Sequence, residues 1–206
     1  MKPSEDRIGA NVIFLDRDGT MNKEVSYLYK PEDLILLPGV ADAVARFNEA
    51  GYRVVVITNQ AGVARGYYTE EDVRNLHEYM NRVLTVSGAH IDSFYYCPHH
   101  PDYGIGSYKQ NCHCRKPGIG MFEEAEKAFE NGINKEKSYM IGDKLLDTEA
   151  GHNYGVKSIL VGTGYGTEIR KKQAEAGILD ADGRCTDGSY DFYAEDLGVA
   201  ADWILG

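Results

Sequence analysis

Residues 11–20 of the chain read NVIFLDRDGT, an apolar run followed directly by two aspartates. Its first half, Asn11–Leu15, is rich in β-branched and aromatic residues and predicts a short buried strand that ends at Asp16. The second half could form a simple turn, since Asp and Gly are common turn residues. However, the carboxylates of Asp16 and Asp18 would repel each other, and binding a divalent cation or sharing acid–base chemistry offsets that repulsion. The stretch therefore predicts a buried strand that leads into a reactive site.

Further along the chain, strand patterns alternate with helix patterns. Buried strands are predicted at Tyr52–Ile57, Ile91–Tyr96, Ser138–Ile141 and Lys157–Val161. Amphipathic helices are predicted after Pro38-Gly39, after Thr69, over Met121–Glu130 and, as a short helix, after Asp143. This alternation predicts an α/β fold with a Rossmann-like, doubly wound, mainly parallel sheet and helices on both faces.

The end of the chain gives a weaker pattern. From about Thr167 to residue 206 the sequence predicts a less regular segment, in which only Ala200–Leu205 is clearly apolar. We expect Trp203 in that patch to pack back on the core. Residues 1–206 are expected to form one domain.

The composition is that of an ordinary globular domain, with 43% hydrophobic and 26% charged residues. The formal net charge of −10 disfavours nucleic acid and anionic membranes as partners. No apolar run approaches the roughly 18 residues that cross a bilayer, and the start, MKPSEDRIG, lacks the apolar core of a signal peptide. We expect a cytoplasmic protein, taken as a monomer, that would need local cations or a metal to handle an anionic ligand.

Polar residues from four segments should meet at one edge of this sheet. Asp16, Thr58 and Asp143 each follow a different predicted strand, and Lys116 lies on the loop that leaves the third strand. Ligands of open α/β sheets bind outside the carboxyl ends of the strands. Each of these residues alone could belong to a turn, a helix cap or the surface, but their convergence predicts an active site.

These motifs resemble those of the haloacid-dehalogenase superfamily of phosphatases. The matching residues are DRDGT (16–20), TN (58–59), Lys116 and GDK (142–144). The resemblance is closer still to the D-glycero-D-manno-heptose 1,7-bisphosphate phosphatases, over roughly residues 12–166. It is carried by TNQAGVARG (58–66), YYCPHHP (95–101), CHCRKP (112–117) and YMIGDKLLD (139–147).

The resemblance implies a mechanism. Asp16 would be the nucleophile that forms an aspartyl-phosphate, and Asp18 would be the general acid and base. Mg²⁺ would be held by the carboxylates of Asp16 and Asp143 and by the backbone carbonyl of Asp18. Thr58 and Lys116 would stabilise charge on the transferring phosphoryl group.

The resemblance also implies contacts to the substrate. Arg115 would recognise a second phosphate, since Arg and phosphate match bidentately, although a surface salt bridge is an alternative. Asn59 would help to orient the site. The other expected substrate contacts are Gln60, Ala61, Lys144 and the stretch Glu24, Val25, Ser26 and Tyr27, for which the match is weaker.

Three of the four cysteines cluster with histidines on two short arms of the chain. Cys97, Cys112, Cys114 and one histidine would form a Cys₃His set for Zn²⁺, which leaves no open position for catalysis. The neighbours His100 and His113 are alternatives, and the resemblance favours His99. Cys185 is left over as a reduced, unliganded thiol.

The zinc would pin a loop insertion over about residues 97–114, the main decoration of the fold. About forty residues separate Asp16 from Thr58, and fewer than about sixty separate Thr58 from Lys116, so no large cap domain is expected. Related histidinol-phosphate phosphatases have a shorter loop between the two arms. The twelve residues between His99 and Cys112 favour the bisphosphatase.

The leading prediction is a Mg²⁺-dependent phosphatase for the 7-phosphate of a heptose 1,7-bisphosphate, in nucleotide-activated heptose biosynthesis. A phosphatase for histidinol phosphate or another small phosphomonoester is the alternative enzyme. A nucleic-acid 3′-phosphatase is disfavoured by the acidic charge. An inactive, zinc-stabilised scaffold is the non-enzyme alternative, and it would have no need of the complete set Asp16, Asp18, Lys116 and Asp143.

Overall fold

The computed structural model describes residues 9–206, so most of the start MKPSEDRIG lies outside the described residues. Six strands form one sheet: β1 (Val12–Leu15), β2 (Arg53–Asn59), β3 (Ser93–Cys97), β4 (Tyr139–Gly142), β5 (Lys157–Val161) and β6 (Phe192–Ala194). Their order is β3-β2-β1-β4-β5-β6, and every neighbouring pair is parallel. The chain therefore winds outward from β1 in both directions, which confirms the doubly wound sheet.

Seven α-helices accompany the sheet in the described part of the chain: α1 (Val40–Glu49), α2 (Ala61–Ala64), α3 (Glu70–Thr85), α4 (Gly120–Lys127), α5 (Leu145–Tyr154), α6 (Gly166–Glu175) and α7 (Leu197–Leu205). Short 3₁₀ turns occur at Pro31–Asp33, Gly106–Tyr108 and Lys135–Lys137. Thr69 caps α3, because its side chain accepts from Asp72 N while Asp72 accepts from Thr69 N.

Both faces of the sheet are buried, as the strand sequences require. In β1, Ile13 and Leu15 pack on one face with α1, α3 and α7. Val12 and Phe14 pack on the other face with α4 and α5. A strand buried on both sides reads as a continuous apolar run, which is why VIFL predicted a buried strand.

The C-terminal segment is more regular than the sequence predicted. It contains α6, β6 and α7, and β6 adds a sixth strand at one edge of the sheet. The sequence pattern missed α6 because only Gly166 and Gln173 of that helix are buried, so no apolar stripe marks it. Trp203 stacks on Phe192 at a centroid distance of 4.7 Å, yet it stays 39% exposed at the rim of the core.

Most predicted boundaries lie within two residues of the observed ones, and the helix predicted over Met121–Glu130 is the exception, because it ends at Lys127. No helix within residues 9–206 is long and apolar enough to cross a membrane.

Candidate active site

The centre of the site is a buried lysine that pairs with two carboxylates. Lys116 Nζ lies 2.7 Å from Asp16 Oδ1 and 2.6 Å from Asp147 Oδ1, and it also donates to the carbonyl of Ile57 at 2.9 Å. Burial alone would lower the pKa of Lys116, but the two carboxylates outweigh it and raise the pKa. The lysine is therefore a fixed positive charge beside Asp16.

Asp147 reaches the site from the first turn of α5. Its Oδ2 accepts from the backbone N–H of Lys144 at 3.1 Å, which caps the start of the helix and aims Oδ1 at Lys116. The approach is close, since a Cβ on Gly142 would lie 2.3 Å from the Cβ of Asp147. Glycine is therefore required where β4 ends.

Asp143 is fully buried behind Asp16. Its Oδ2 accepts from the backbone N–H of Tyr165 at 2.9 Å, and a Cβ on Gly19 would lie 2.3 Å from that oxygen. Burial and the nearby Asp16 carboxylate raise the pKa of Asp143 to about 7. A bound cation would offset the repulsion between these neighbouring buried carboxylates.

The oxygen atoms fit a hard divalent cation. Ligand oxygens of Asp16, Asp143 and Asp147 lie within 4.8 Å of one another. The ammonium of Lys144 lies 3.1 Å from Asp143 Oδ1 and 3.5 Å from the backbone carbonyl of Asp18, so these oxygens already attract positive charge. Of Asp18, it is the backbone carbonyl and not the side chain that faces this group.

The side chain of Asp18 faces four hydrogen-bond donors instead. Arg17 Nε and Nη2 donate to its two oxygens at 3.2 and 2.8 Å, Asn22 donates at 3.0 Å, and Gln60 donates at 2.9 Å. Burial would raise the pKa of Asp18, but Arg17 and the other donors lower it. Asp18 is therefore an ionised carboxylate in a fixed orientation.

Three residues at the end of β2 support this arrangement. Asn59 clamps the backbone of Lys116, since its Oδ1 accepts from Lys116 N at 3.0 Å and its Nδ2 donates to Lys116 O at 3.2 Å. Gln60 Nε2 donates to Thr58 Oγ1 at 3.0 Å, and its Oε1 accepts from Tyr68 at 2.7 Å. The chain segments that carry the catalytic candidates are thus bonded to one another.

A cavity of about 290 Å³ opens above these groups. Apart from Val25, every residue expected to contact the substrate lines it: Glu24, Ser26, Tyr27, Asn59, Gln60, Ala61, Arg115 and Lys144. Val25 lines a neighbouring cavity and is 41% exposed. Ser26 and Tyr27 have φ angles of 52° and 64°, the left-handed region, which turns successive side chains of this stretch in different directions. Val25 is therefore the one expected contact that does not line the cavity, and its role stays a prediction.

Two arginines, Arg115 in this cavity and Arg65 in a neighbouring one, have no carboxylate partner among residues 9–206. Within the described residues, Arg115 makes one side-chain hydrogen bond, from Nη1 to the carbonyl of His99 at 3.2 Å. Arg65 stacks on Tyr103, and its Nε is buried without a hydrogen-bond partner among residues 9–206. The charge of Arg65 contributes, after burial, to lowering the pKa of Arg115.

The four expected zinc ligands meet beside Arg115. Ligand atoms of Cys97, His99, Cys112 and Cys114 lie within 4.8 Å of one another, with His99 Nδ1 3.7 and 3.6 Å from the first and last of these sulfurs. The hydrogen bond with Cys97 and burial raise the pKa of the Cys114 thiol, so a cation is needed for the sulfurs to be thiolates together. The set therefore fits Zn²⁺.

The alternative ligands point elsewhere. His113 Nε2 lies 2.9 Å from Glu123, and His100 Nδ1 accepts from the backbone N–H of Asp102 at 3.1 Å. Cys185 is a free thiol that donates to Asp187 at 2.7 Å, away from the cluster. His99 is the histidine that lies among the sulfurs.

Comparisons with known proteins identify the family of the chain. A family model described as HAD-hydrolase-like matches residues 113–181. The D-glycero-beta-D-manno-heptose-1,7-bisphosphate 7-phosphatase of Haemophilus ducreyi is 43% identical to the chain over 159 residues, which are 76% of this chain and 86% of that protein. The chain belongs to the heptose-1,7-bisphosphate 7-phosphatase family.

Other members of the family extend the comparison. The D-glycero-alpha-D-manno-heptose-1,7-bisphosphate 7-phosphatase of Photorhabdus laumondii is 40% identical over 157 residues, 76% of this chain and 85% of that protein. The crystal structure of D,D-heptose 1,7-bisphosphate phosphatase from B. bronchiseptica, complexed with magnesium and phosphate, superposes with a TM-score of 0.75. It is 33% identical and covers 95% of this chain and 98% of that chain. Members named for either anomer match almost equally well.

Four residues of the site were not predicted from the sequence. Asp147 lies four residues after Asp143, about one helical turn, and this spacing was a usable signal. Arg17 sits between the two predicted catalytic aspartates, where its burial could not be read from the sequence. Tyr68 and His77 reach the site only through tertiary packing, and no local pattern marks them.

Proposed function

We propose that this chain is a Mg²⁺-dependent phosphatase that removes the 7-phosphate of D-glycero-D-manno-heptose 1,7-bisphosphate through an aspartyl-phosphate. One observation carries the proposal: Asp16 lies at the floor of the cavity, between the buried cation of Lys116 and a group of oxygens that fits a divalent metal. A scaffold without activity would have no need of this costly burial of charge. Membership in the family gives the substrate class.

The carboxylates of Asp16 and Asp143 and the backbone carbonyl of Asp18 would hold Mg²⁺. When bound, the metal supplies positive charge that lets an anionic nucleophile approach an anionic phosphate. The chain itself already supplies part of that charge, because Lys116 and Lys144 lie against the same carboxylates.

In the first step, a carboxylate oxygen of Asp16 forms a bond to phosphorus while the bond from phosphorus to the sugar oxygen breaks. Asp18 gives a proton to the departing alkoxide. An approaching phosphate dianion favours the protonated form of Asp18, because a like charge raises the pKa of a carboxyl group. In the second step, Asp18 takes a proton from water, whose oxygen attacks phosphorus and releases Asp16 and inorganic phosphate.

Two groups stabilise the transferring phosphoryl group in this scheme. The Lys116 ammonium and the Thr58 hydroxyl both line the cavity beside Asp16. Both are fixed before substrate arrives: Asn59 clamps the backbone of Lys116, and Gln60 bonds the Thr58 hydroxyl. Groups fixed in advance stabilise developing charge without reorganisation.

The rim of the cavity supports a bisphosphate over a monophosphate substrate. Arg115 has no carboxylate partner in the described chain and lines the cavity, while Arg65 lines a neighbouring cavity and also has none. Positive charges without a partner in an acidic chain are stabilised by binding an anion. We assign them to the phosphate that is not cleaved.

The four-ligand Zn²⁺ set would be structural, because it leaves no open coordination position. Its role would be to fix the loop that carries His99, whose carbonyl orients Arg115. We place the protein in the cytoplasm, where its free thiols would stay reduced, and in the synthesis of nucleotide-activated heptose. That it acts as a monomer is a prediction.

The test is phosphate release in the presence of Mg²⁺ from both anomers of heptose 1,7-bisphosphate and from histidinol phosphate at matched concentrations. A preference of about a hundredfold for one heptose anomer, some 2.7 kcal/mol of transition-state discrimination, supports the proposal. Equal slow rates would remove the heptose assignment, and a preference for histidinol phosphate would replace it. Asp16→Asn must abolish turnover, and retention of wild-type rates by this variant would refute the mechanism.

A further inference from the structure

Arg17 is fully buried between the two catalytic aspartates. Its Nε and Nη2 form a fork on the carboxylate of Asp18, and Nη2 also donates to the carbonyl of Leu28 at 3.2 Å. The remaining nitrogen, Nη1, lies 3.1 Å from Nε2 of His77. Because a guanidinium can only donate, the imidazole accepts with Nε2 and carries its proton on Nδ1.

His77 is itself held in one orientation. It lies on α3, is 4% exposed, and stacks on Phe94 of β3 with ring centroids 4.6 Å apart and an angle of 16°. Burial, reinforced by the charge of Arg17, lowers the pKa of His77 to about 3, so the ring stays neutral. The neutral imidazole of His77 therefore accepts from Arg17 on the side of the guanidinium that faces away from Asp18.

The neutrality of this acceptor matters for Asp18. A buried guanidinium needs a partner for each nitrogen, or it pays the full cost of desolvation. A carboxylate at the position of His77 would satisfy Nη1, but it would also compete with Asp18 for the positive charge. The imidazole satisfies Nη1 without competing, so Asp18 is the carboxylate that the fork of Arg17 holds.

We infer that His77 is a positioning residue for the phosphatase reaction. It fixes the plane of the Arg17 guanidinium, and Arg17 in turn fixes the carboxylate of Asp18 where proton transfer to the leaving group occurs. His77 does not touch substrate and acts only through Arg17. The inference rests on the proposed function, in which Asp18 is the general acid and base.

This role predicts a dependence on the leaving group. A departing sugar alkoxide is a strong base that needs the proton of Asp18, whereas p-nitrophenolate is a weak base that leaves without one. The quantity to compare is kcat/KM, because it covers the steps up to release of the alcohol and excludes hydrolysis of the aspartyl-phosphate. A purely structural defect would lower kcat/KM for both substrates alike.

The experiment uses the full chain with Mg²⁺ and Zn²⁺ and three variants. His77→Phe keeps the stacking and loses the acceptor, His77→Gln keeps an acceptor, and His90→Phe makes the same change at an exposed histidine. We expect His77→Phe to lower kcat/KM about thirtyfold for the heptose bisphosphate and less than about threefold for p-nitrophenyl phosphate, a partial loss of the roughly hundredfold or more that general acid catalysis contributes. His77→Gln should recover to within about fivefold of wild type, and His90→Phe should match wild type on both substrates.

Equal losses of kcat/KM on both substrates, or no loss on the bisphosphate, would overturn the inference. If His77→Phe does not fold, His77→Leu gives the same test, since it also lacks an acceptor for Arg17 Nη1. The same leaving-group dependence is expected, and its absence counts against the inference. Failure of the wild type to prefer heptose bisphosphate would instead count against the proposed function, because the comparison of leaving groups needs only phosphatase activity.

Discussion

Lys116 and Asp16 are a hundred positions apart in the chain, yet their side chains form a buried ion pair at 2.7 Å. A buried pair of this kind is expensive to assemble, because both charges leave water. Asp147, at 2.6 Å from the same ammonium, is a second carboxylate, so two negative charges face the one positive charge of Lys116. The pocket is therefore built to accept further positive charge beside Asp16 while keeping the lysine protonated.

The first prediction concerns Asp147→Asn. The neutral amide removes one of the two charges that hold Lys116, so the ammonium shifts toward Asp16 and fits the phosphoryl group less well. We expect kcat to fall by about ten- to a hundredfold, less than the roughly hundred- to thousandfold that follows outright removal of a fixed donor, because Lys116 itself remains. Steady-state kinetics at saturating Mg²⁺ measure this. Glu149→Gln, an exposed position on the same helix, is the control, and a kcat within twofold of wild type for Asp147→Asn would contradict the prediction.

The second prediction concerns the zinc. Cys114→Ser, or removal of metal by a chelator, should release the loop and lower the melting temperature by about 10 °C, equivalent to about 3–5 kcal/mol for a chain of this size. Because the carbonyl of His99 orients Arg115, kcat/KM for the bisphosphate should fall as well. Metal analysis should give one zinc per wild-type chain and per Cys185→Ser chain. Full zinc content in Cys114→Ser would show that the ligand set is wrong.

Part of the site follows from the sequence pattern, and part depends on tertiary packing that the pattern does not record. Asp16, Thr58 and Asp143 were predictable because each directly follows a buried apolar strand, and parallel strands end at one edge. His77 lies mid-helix, and nothing in the pattern of α3 distinguishes it from a core residue. The edge strand β6 is only three residues long and follows a polar helix, so burial there depends on contacts that no local pattern records.

The third prediction concerns the second phosphate. Arg65→Met removes a guanidinium that has no carboxylate partner in the described chain, so recognition of the uncleaved phosphate should weaken. We expect the ratio of kcat/KM for the heptose bisphosphate to that for the heptose 7-phosphate to fall by about tenfold, as for loss of a charged hydrogen bond. Arg184→Met, whose side chain is 79% exposed, is the control for loss of one positive charge. An unchanged ratio in Arg65→Met would place the second phosphate elsewhere.

The fourth prediction concerns the pH dependence of stability. His77 has a pKa of about 3 in the folded chain and about 6.5 when unfolded, so between these values the unfolded state binds one more proton. The free energy of unfolding should therefore fall as the pH drops below about 6.5, by up to about 1.4 kcal/mol per pH unit from this group. His77→Gln and His77→Phe lack this group. As the pH falls from 7 to 5, their free energy of unfolding should therefore improve relative to wild type by about 2 kcal/mol.

Urea unfolding at pH 7, 6 and 5 measures the free energy of unfolding of wild type and of both variants. The contributions of the other titrating groups cancel in the difference between wild type and variant. A difference between wild type and both variants that does not change with pH would show that the buried imidazole is not held neutral against Arg17.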